Sequence, residues 1–149
     1  MDTLTISTGE KHIAINGDPE RVIVFNPSDV AFAERFYDLI REFEAKLKEY
    51  QPRSEAIEIH QDVDENGVPL NLPDKLALMR EVCEYMRSKI DGLFGAGTSQ
   101  KVFGDALVLS GFEQFFRGIT PYIQTARSEK IAQYTNVVTD KKRKHAVMK

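Results

Sequence analysis

The sequence predicts an α+β fold that is mainly helical, with a small antiparallel sheet near the start of the chain and three to four amphipathic helices after it. Short runs in which apolar and polar residues alternate occur within the first 25 residues. Further along, apolar residues recur every three or four positions, as they do on one face of a helix. With 149 residues and 42% apolar content, the chain has the size of one domain with a buried core.

The sheet is predicted to contain a hairpin plus a third strand. Apolar and polar residues alternate over residues 4–6 and again over 13–15, and Thr8-Gly9 between them favours a turn. A second turn is predicted over residues 16–19, where Asn, Gly, Asp and Pro follow one another. The apolar run of residues 22–25 then gives the third strand.

The first helix is predicted to begin in Asn26-Pro27-Ser28-Asp29 and to end at Pro52. Proline suits the first turn of a helix, and the side chain of Asn26 or Ser28 can accept a hydrogen bond from its free N–H groups. One face of this helix is predicted to be apolar: Phe36, Ile40, Phe43, Leu47 and Tyr50.

A second helix is predicted after Pro73, with a continuous apolar seam at Leu76, Met79, Cys83, Met86, Ile90 and Leu93. Glycines at 92, 95 and 97 end it. A third helix is predicted to start near Gly104-Asp105 and to carry Leu109, Phe112, Phe116 and Ile119. Gly118 to Pro121 then breaks or kinks it, and Thr120 could cap a fourth segment that runs to about Tyr134.

Charge is distributed unevenly along the chain. Residues 1–126 contain 13 basic and 21 acidic residues, a net charge of −8, whereas residues 127–149 contain 7 and 2, a net charge of +5. We therefore expect one compact domain over 1–134, β-rich in 1–25 and helical in 26–134, followed by a basic, flexible segment over 135–149. The acidic domain would repel nucleic-acid phosphates, so that only Lys141-Lys142-Arg143-Lys144 could bind a polyanion.

The sequence also predicts where in the cell the protein is found. No run of about 18 apolar residues is present, so no membrane span is expected, and residues 1–5 lack the features of a secretory signal. The lone cysteine, Cys83, cannot form an intramolecular disulfide and suits a reducing compartment. We expect a cytoplasmic protein.

Residues 62–67 match the first half of a calcium loop, but Pro73 stands where the bidentate glutamate is required. The favoured interpretation is a turn with Asn66-Gly67 at its tip. If the alternation of residues 57–64 formed a strand, then Glu58, His60, Asp62 and Asp64 would share one face and could hold Mn²⁺, Zn²⁺ or Mg²⁺. A metal-binding module or enzyme on Glu58–Asn66 is therefore a minor alternative.

Two other patterns give weaker evidence of a functional site. The segment Gly92–Ser99 resembles a phosphate-binding loop, but it lacks the lysine and the preceding strand, so that a helix stop and linker is favoured. Cys83 lies on the apolar seam, where cysteine usually packs as a small hydrophobic residue. We therefore expect no enzyme, and no catalytic, cofactor-binding or metal-binding residues.

Three phenylalanines are crowded in the third helix. Phe112 and Phe116 share a face, and Phe115 points about a quarter-turn away. They either form a wide buried face between two layers or leave part of that face available to a partner's helix. Phe112, Phe115 and Phe116 are accordingly the candidate partner-binding residues.

Several stretches resemble small prophage-encoded proteins from tail gene clusters, a group that is similar to the tail assembly chaperones of long-tailed, non-contractile phages. They are Asn26-Pro27-Ser28-Asp29, Phe32–Tyr37, Met79–Cys83, Gly97–Asp105, Phe112–Phe116 and Thr120-Pro121. The segment Glu55–Leu72 and the last residues carry no part of this resemblance.

The resemblance implies a non-enzymatic chaperone in the cytoplasm of the bacterial host. Such proteins coat the helical tape-measure protein and help to bring tail-tube subunits to it, so both are the expected partners. Another virion-assembly component, a head–tail joining or tail-terminator protein, is the alternative. The apolar seams on two helices also permit a homo-oligomer.

Overall fold

The computed structural model describes residues 1–127 of the chain. The elements in chain order are strand β1 (Lys11–Ala14), a 3-10 turn (Ile15–Gly17), strand β2 (Val22–Phe25), helix α1 (Val30–Glu58), helix α2 (Leu72–Phe94), the short helix α3 (Thr98–Phe103) and helix α4 over residues 109–127. The predicted class, α+β and mainly α with four helices after a small antiparallel sheet, is confirmed. The domain boundary predicted at 134, the basic segment over 135–149 and the sequence 141–144 lie outside the described residues.

The sheet is an antiparallel hairpin in which Lys11 pairs with Phe25 and Ala14 with Val22. Asn16 and Gly17 adopt left-handed backbone conformations in the turn, with φ of +54° and +74°, which these two residue types tolerate best. The turn predicted over residues 16–19 is therefore confirmed. The strand predicted over residues 4–6 is wrong, because within residues 1–127 the sheet has only the strands β1 and β2.

Helix α1 starts one position later than predicted and ends one and a half turns later. The Asp29 carboxylate, not Asn26 or Ser28, caps it by accepting a hydrogen bond from the Ala31 amide at 3.0 Å. The helix then runs through Pro52, which costs it one backbone hydrogen bond, and reaches Glu58.

Tertiary contacts explain why Pro52 does not end α1. Arg53 forms an ion pair with Glu81 of α2 at 2.7 Å, and Ile57 packs against the buried cluster of Tyr50, Leu78 and Val82. These contacts hold the last turns of the helix in place on α2.

Glycines end α2 as predicted, although Gly92 lies inside the helix. Gly95, with φ of +116°, follows the last residue of α2, and Gly97, with φ of +86°, precedes α3. The start of α3 is held by Asp91, whose carboxylate accepts hydrogen bonds from the Ser99 amide at 2.7 Å and the Ser99 hydroxyl at 2.9 Å. The interpretation of residues 92–99 as a helix stop and linker is confirmed.

The third predicted helix begins later than expected and does not break. Gly104 ends α3, and α4 starts at residue 109, not near 104. Helix α4 continues through Pro121, because Ile119 and Ile123 pack into the core on both sides of the proline. The Thr120 hydroxyl donates to the Phe116 carbonyl at 2.6 Å instead of capping a new helix.

The main core lies where the sheet, α1, α2 and α4 converge, and we call this part of the molecule the body. Its buried residues are Ile23, Phe25, Phe32, Phe36, Leu39, Phe43, Cys83, Met86, Ile90, Phe112, Phe115, Phe116 and Ile119. The apolar face predicted for α1 is thus largely confirmed, and so is the core position of Cys83, where burial raises the pKa of the thiol.

One polar contact links α1 and α2 at the edge of the body. The Tyr85 hydroxyl donates to the Glu42 carboxylate, which also faces the Lys89 ammonium at 3.2 Å. The bond from Tyr85 is the main cause of the lowered pKa of Glu42, and it raises the pKa of Tyr85 to about 12. None of the helices among residues 1–127 has both the length and the apolar character that a membrane span requires.

Candidate functional site

The three phenylalanines predicted to bind a partner lie in the core. Phe112, Phe115 and Phe116 are 1%, 7% and 6% exposed. Phe112 packs against Phe43 and Phe103. The expectation that part of this face remains open is wrong. Helix α4 packs in the core with the sheet, α1 and α2, and all three rings are buried there. The alternative of a wide buried face is confirmed.

The residues proposed as metal ligands do not share a face. Glu58 belongs to α1 and forms an ion pair with Lys75 at 2.8 Å. The Asp64 carboxylate is held within a turn, where it accepts hydrogen bonds from the Asn66 and Val68 amides at 2.8 and 2.9 Å. The strand predicted over residues 57–64 is therefore wrong, and the turn interpretation of residues 62–67 is confirmed. Residues 1–127 contain no group of three or more His, Cys, Asp or Glu side chains placed to hold a metal ion.

An apolar surface does appear at the far end of the α1–α2 hairpin, which we call the hairpin tip (residues 53–81). The predicted seam of α2 is buried in the body at Cys83, Met86 and Ile90, but its first two members, Leu76 and Met79, are 55% and 42% exposed. The seam is continuous along α2, so the tip presents the part of it that no other described element covers.

The position at which α4 begins explains where the cover stops. Leu109, the first residue of α4, packs against Tyr50, Leu78 and Val82, and residues 104–108 before it are not helical. Beyond this level α1 and α2 contact each other but have no third layer among the described residues. The tip is therefore a two-helix structure with apolar residues on its uncovered side.

The loop between the two helices adds further exposed apolar side chains: Ile59, Val63, Val68 and Leu70. A short antiparallel bridge between Val63 and Pro69 closes this loop, and the Leu70 amide donates to the Asp62 carbonyl at 2.8 Å. Because the loop has fixed hydrogen bonds, these exposed side chains have defined positions at the hairpin tip.

An acidic cleft of about 300 Å³ lies beside this surface and is lined by His60, Asp62, Asp74 and Asn71, among others. Asn71 is 5% exposed, and its Nδ2 donates to the Ile57 carbonyl at 3.0 Å. Its buried Oδ1 has no hydrogen-bond donor among the described residues. The cleft thus has two carboxylates in its lining, an arrangement that suits a cationic group such as an ammonium or guanidinium.

The charge of the whole tip agrees with that of the cleft. Residues 53–81 contain seven acidic and three basic residues. The three basic side chains, Arg53, Lys75 and Arg80, each face a glutamate: Glu81, Glu58 and Glu84, respectively. The remaining carboxylates give the tip a negative potential, which favours a basic partner.

Sequence reasoning missed this site, although one signal for it was present. The seam predicted for α2 begins at Leu76, whereas the first apolar residue of the covering helix that contacts α2 is Leu109. Because the covering helix begins at the level of Leu109, the end of the seam beyond that level is uncovered among residues 1–127. Which end is exposed depends on the packing level of α4, which the sequence does not specify.

Comparison with known proteins gives a family and no function. No curated protein and no solved structure matches the chain at a significant level. A family model described as "Family of unknown function (DUF6673)" matches residues 20–146, which include both helices of the hairpin tip. The chain therefore belongs to the family DUF6673, whose function is unknown.

Proposed function

We propose that this protein is a tail assembly chaperone of a long-tailed, non-contractile phage, which binds the tape-measure protein through the hairpin tip and acts without catalysis in the cytoplasm of the bacterial host. The family resemblance carried by such stretches as Phe112–Phe116 supports this function. The exposed continuation of the α2 seam at Leu76 and Met79 is the structural observation that supports it.

The tip offers a position for one further helix. In the body, α4 covers α1 and α2 and buries the seam at Cys83 and Met86. At the tip the same two helices have no such layer within residues 1–127. A tape-measure helix that follows the line of α4 would bury Leu76 and Met79, and in return its own apolar stripe would be shielded from aggregation.

The acidic cleft specifies the kind of helix that binds. A partner helix with Lys or Arg next to its apolar stripe could place the cationic group beside Asp62 and Asp74. Two carboxylates in one cleft favour a cationic partner over a neutral one. The expected partner is an amphipathic, basic helical segment.

The test is binding of the purified protein to the tape-measure protein encoded near its gene, measured by co-purification and then by titration of tape-measure fragments. Leu76→Asp together with Met79→Asp places two charges on the tip and should weaken binding at least about thirtyfold, which corresponds to the loss of one interface anchor of about 2 kcal/mol. Both positions are exposed, so the variant should retain its fold.

Tyr37→Asp is the matched control, because Tyr37 is an equally exposed apolar residue of α1 that lies within the body. It should bind as tightly as the unaltered chain. Equal binding by the tip variant and the control would reject the tip as the site, and a failure of the unaltered chain to bind any tape-measure fragment would reject the chaperone proposal.

Gene order and virion content separate this proposal from the alternative. A chaperone gene should lie between a tail-tube gene and a very long tape-measure gene, and the protein should be absent from purified virions. Its presence in virions would favour a head–tail joining or tail-terminator protein.

A further inference from the structure

The segment before β1 has the pattern of a strand. Over residues 3–7, which we call the arm, Leu4 and Ile6 alternate with Thr and Ser, and the two apolar side chains are 83% and 72% exposed. The arm pairs with no strand among residues 1–127. Threonine and isoleucine favour strands, and an alternating strand is stable when its apolar face is buried. The arm therefore has the sequence of a strand that lacks its partner.

Residues 8 and 9 prevent the arm from pairing with β1 of its own chain. Asn26 Nδ2 donates to the Thr8 carbonyl at 2.6 Å. A Cβ at Gly9, whose φ is +87°, would lie 2.6 Å from Ser28 Oγ, so the backbone is in close contact with that residue. Asn26 and Ser28 follow the end of β2. The chain before β1 is thus held beyond the end of the hairpin and does not turn back along β1.

A surface that could accept the arm is present on the same molecule. β1 pairs with β2 along one edge, and no other strand within residues 1–127 pairs with its second edge. Next to β1, a cavity of about 350 Å³ opens between the β-hairpin and α4. Its apolar lining includes Ile13, Ile15, Ile23, Phe103, Ile119 and Tyr122.

The cavity is bordered on one side by two glycines of α4. Gly111 and Gly118, seven residues apart, both line it and contribute no side chain to fill it. The cavity therefore has room for branched apolar side chains from an added strand.

We propose that the arm of one copy pairs with the free edge of β1 in a second copy, with Leu4 and Ile6 in this cavity and Thr3 and Thr5 facing solvent. Reciprocal exchange of the two arms closes a symmetric dimer. It extends each two-stranded sheet to three strands and pairs the free edge of β1. Residues 3–7 carry no charge, so their burial desolvates none.

This interface is independent of the proposed function. The arm and the cavity lie beside the sheet, whereas the hairpin tip lies at the opposite end of α1. A dimer formed through the arms would leave two hairpin tips free for partner helices.

Light scattering tests the dimer. The unaltered chain should have twice its chain mass of 16.9 kDa, and Leu4→Asp with Ile6→Asp should reduce the mass to that of one chain. Thr3→Asp with Thr5→Asp adds the same charge to the opposite face of the arm and should leave the dimer intact. All four positions lie outside the core, so circular dichroism should report the same helix content for each variant.

Cross-linking tests the position of the arm. A tagged chain with Leu4→Cys is mixed with an untagged chain with Gln114→Cys, a position that lines the cavity. Oxidation should give a covalent heterodimer, and replacement of the second chain by one with Tyr37→Cys should give none. Cys83 is fully buried and does not compete. A monomeric unaltered chain, a dimer that survives Leu4→Asp with Ile6→Asp, or equal cross-linking to the Tyr37→Cys chain would each overturn the proposal.

Discussion

The body and the hairpin tip are built on the same two helices, yet they bury the same seam to different extents. Cys83 and Met86 of α2 have no exposed surface, whereas Leu76 and Met79 on the same seam are exposed. The difference comes from α4, which covers α1 and α2 from Leu109 onward and, within the described part of the chain, leaves the tip without a third layer. An apolar seam thus shows that a helix needs a neighbour, but it does not show whether the same chain supplies that neighbour along its whole length.

The largest expected effect on the free energy of unfolding is that of removing a core ring from the body. Phe112→Ala should reduce the free energy of unfolding by about 3–5 kcal/mol, because it removes a buried ring that packs on Phe43 and Phe103. Leu76→Ala at the tip should change it by less than about 0.5 kcal/mol, since the side chain is exposed. Urea unfolding of both variants measures the difference, and similar losses would show that the tip is as well packed as the body.

Pro52 gives a test of how the tip is held. Pro52→Ala restores a backbone N–H inside α1, so it should stabilise this end of the helix by up to about 3 kcal/mol. The measurement is the hydrogen-exchange protection of residues 52–58. Pro73→Ala is the control, because Pro73 lies in the first turn of α2, where proline is tolerated, and it should have little effect. Unchanged protection in Pro52→Ala would mean that proline does not limit the stability of the tip.

Hydrogen exchange in the unaltered protein should separate the two regions directly. The backbone of residues 72–78 should open at a free energy about 1–2 kcal/mol lower than that of residues 83–90, and so exchange about five- to thirtyfold faster, because fewer apolar contacts surround it. Addition of the tape-measure partner should reduce this difference. Uniform protection along α2 would contradict the division into body and tip.

The smallest effect is expected at acid pH, at the contact between Glu42 and Tyr85. The pKa of Glu42 is lowered in the folded state, first by the Tyr85 hydroxyl and then by Lys89. The stability that this carboxylate contributes is therefore present above its ordinary pKa of 4.5 and is lost as the pH falls through the lower folded value. Glu42→Gln should weaken the dependence of stability on pH below about 5.

Unfolding of Glu42→Gln at pH 6 and pH 3 measures this contribution. Glu34→Gln, at an exposed position of the same helix, should retain the pH dependence of the unaltered chain. An identical loss of stability at pH 3 in the unaltered chain and in Glu42→Gln would show that the contact has no role in acid sensitivity.

Features that depend on neighbouring residues could be predicted from the sequence alone. The fold class, the apolar face of α1, the end of α2 before Gly95 and the turn at Asn66-Gly67 follow from helical periodicity and from the backbone freedom of glycine and asparagine. Each involves residues within a few positions of one another, so a single stretch of sequence contains the required information.

Other features depend on contacts between distant segments. Helix α1 passes Pro52 because α2 holds its last turns, and residues 4–6 do not pair with β1 of their own chain because Asn26 holds Thr8. The rings of α4 are buried and Leu76 is exposed for one common reason, which is the level at which α4 packs on the α1–α2 hairpin. Burial is a property of the assembled layers, and the periodicity of a single helix does not fix where those layers end.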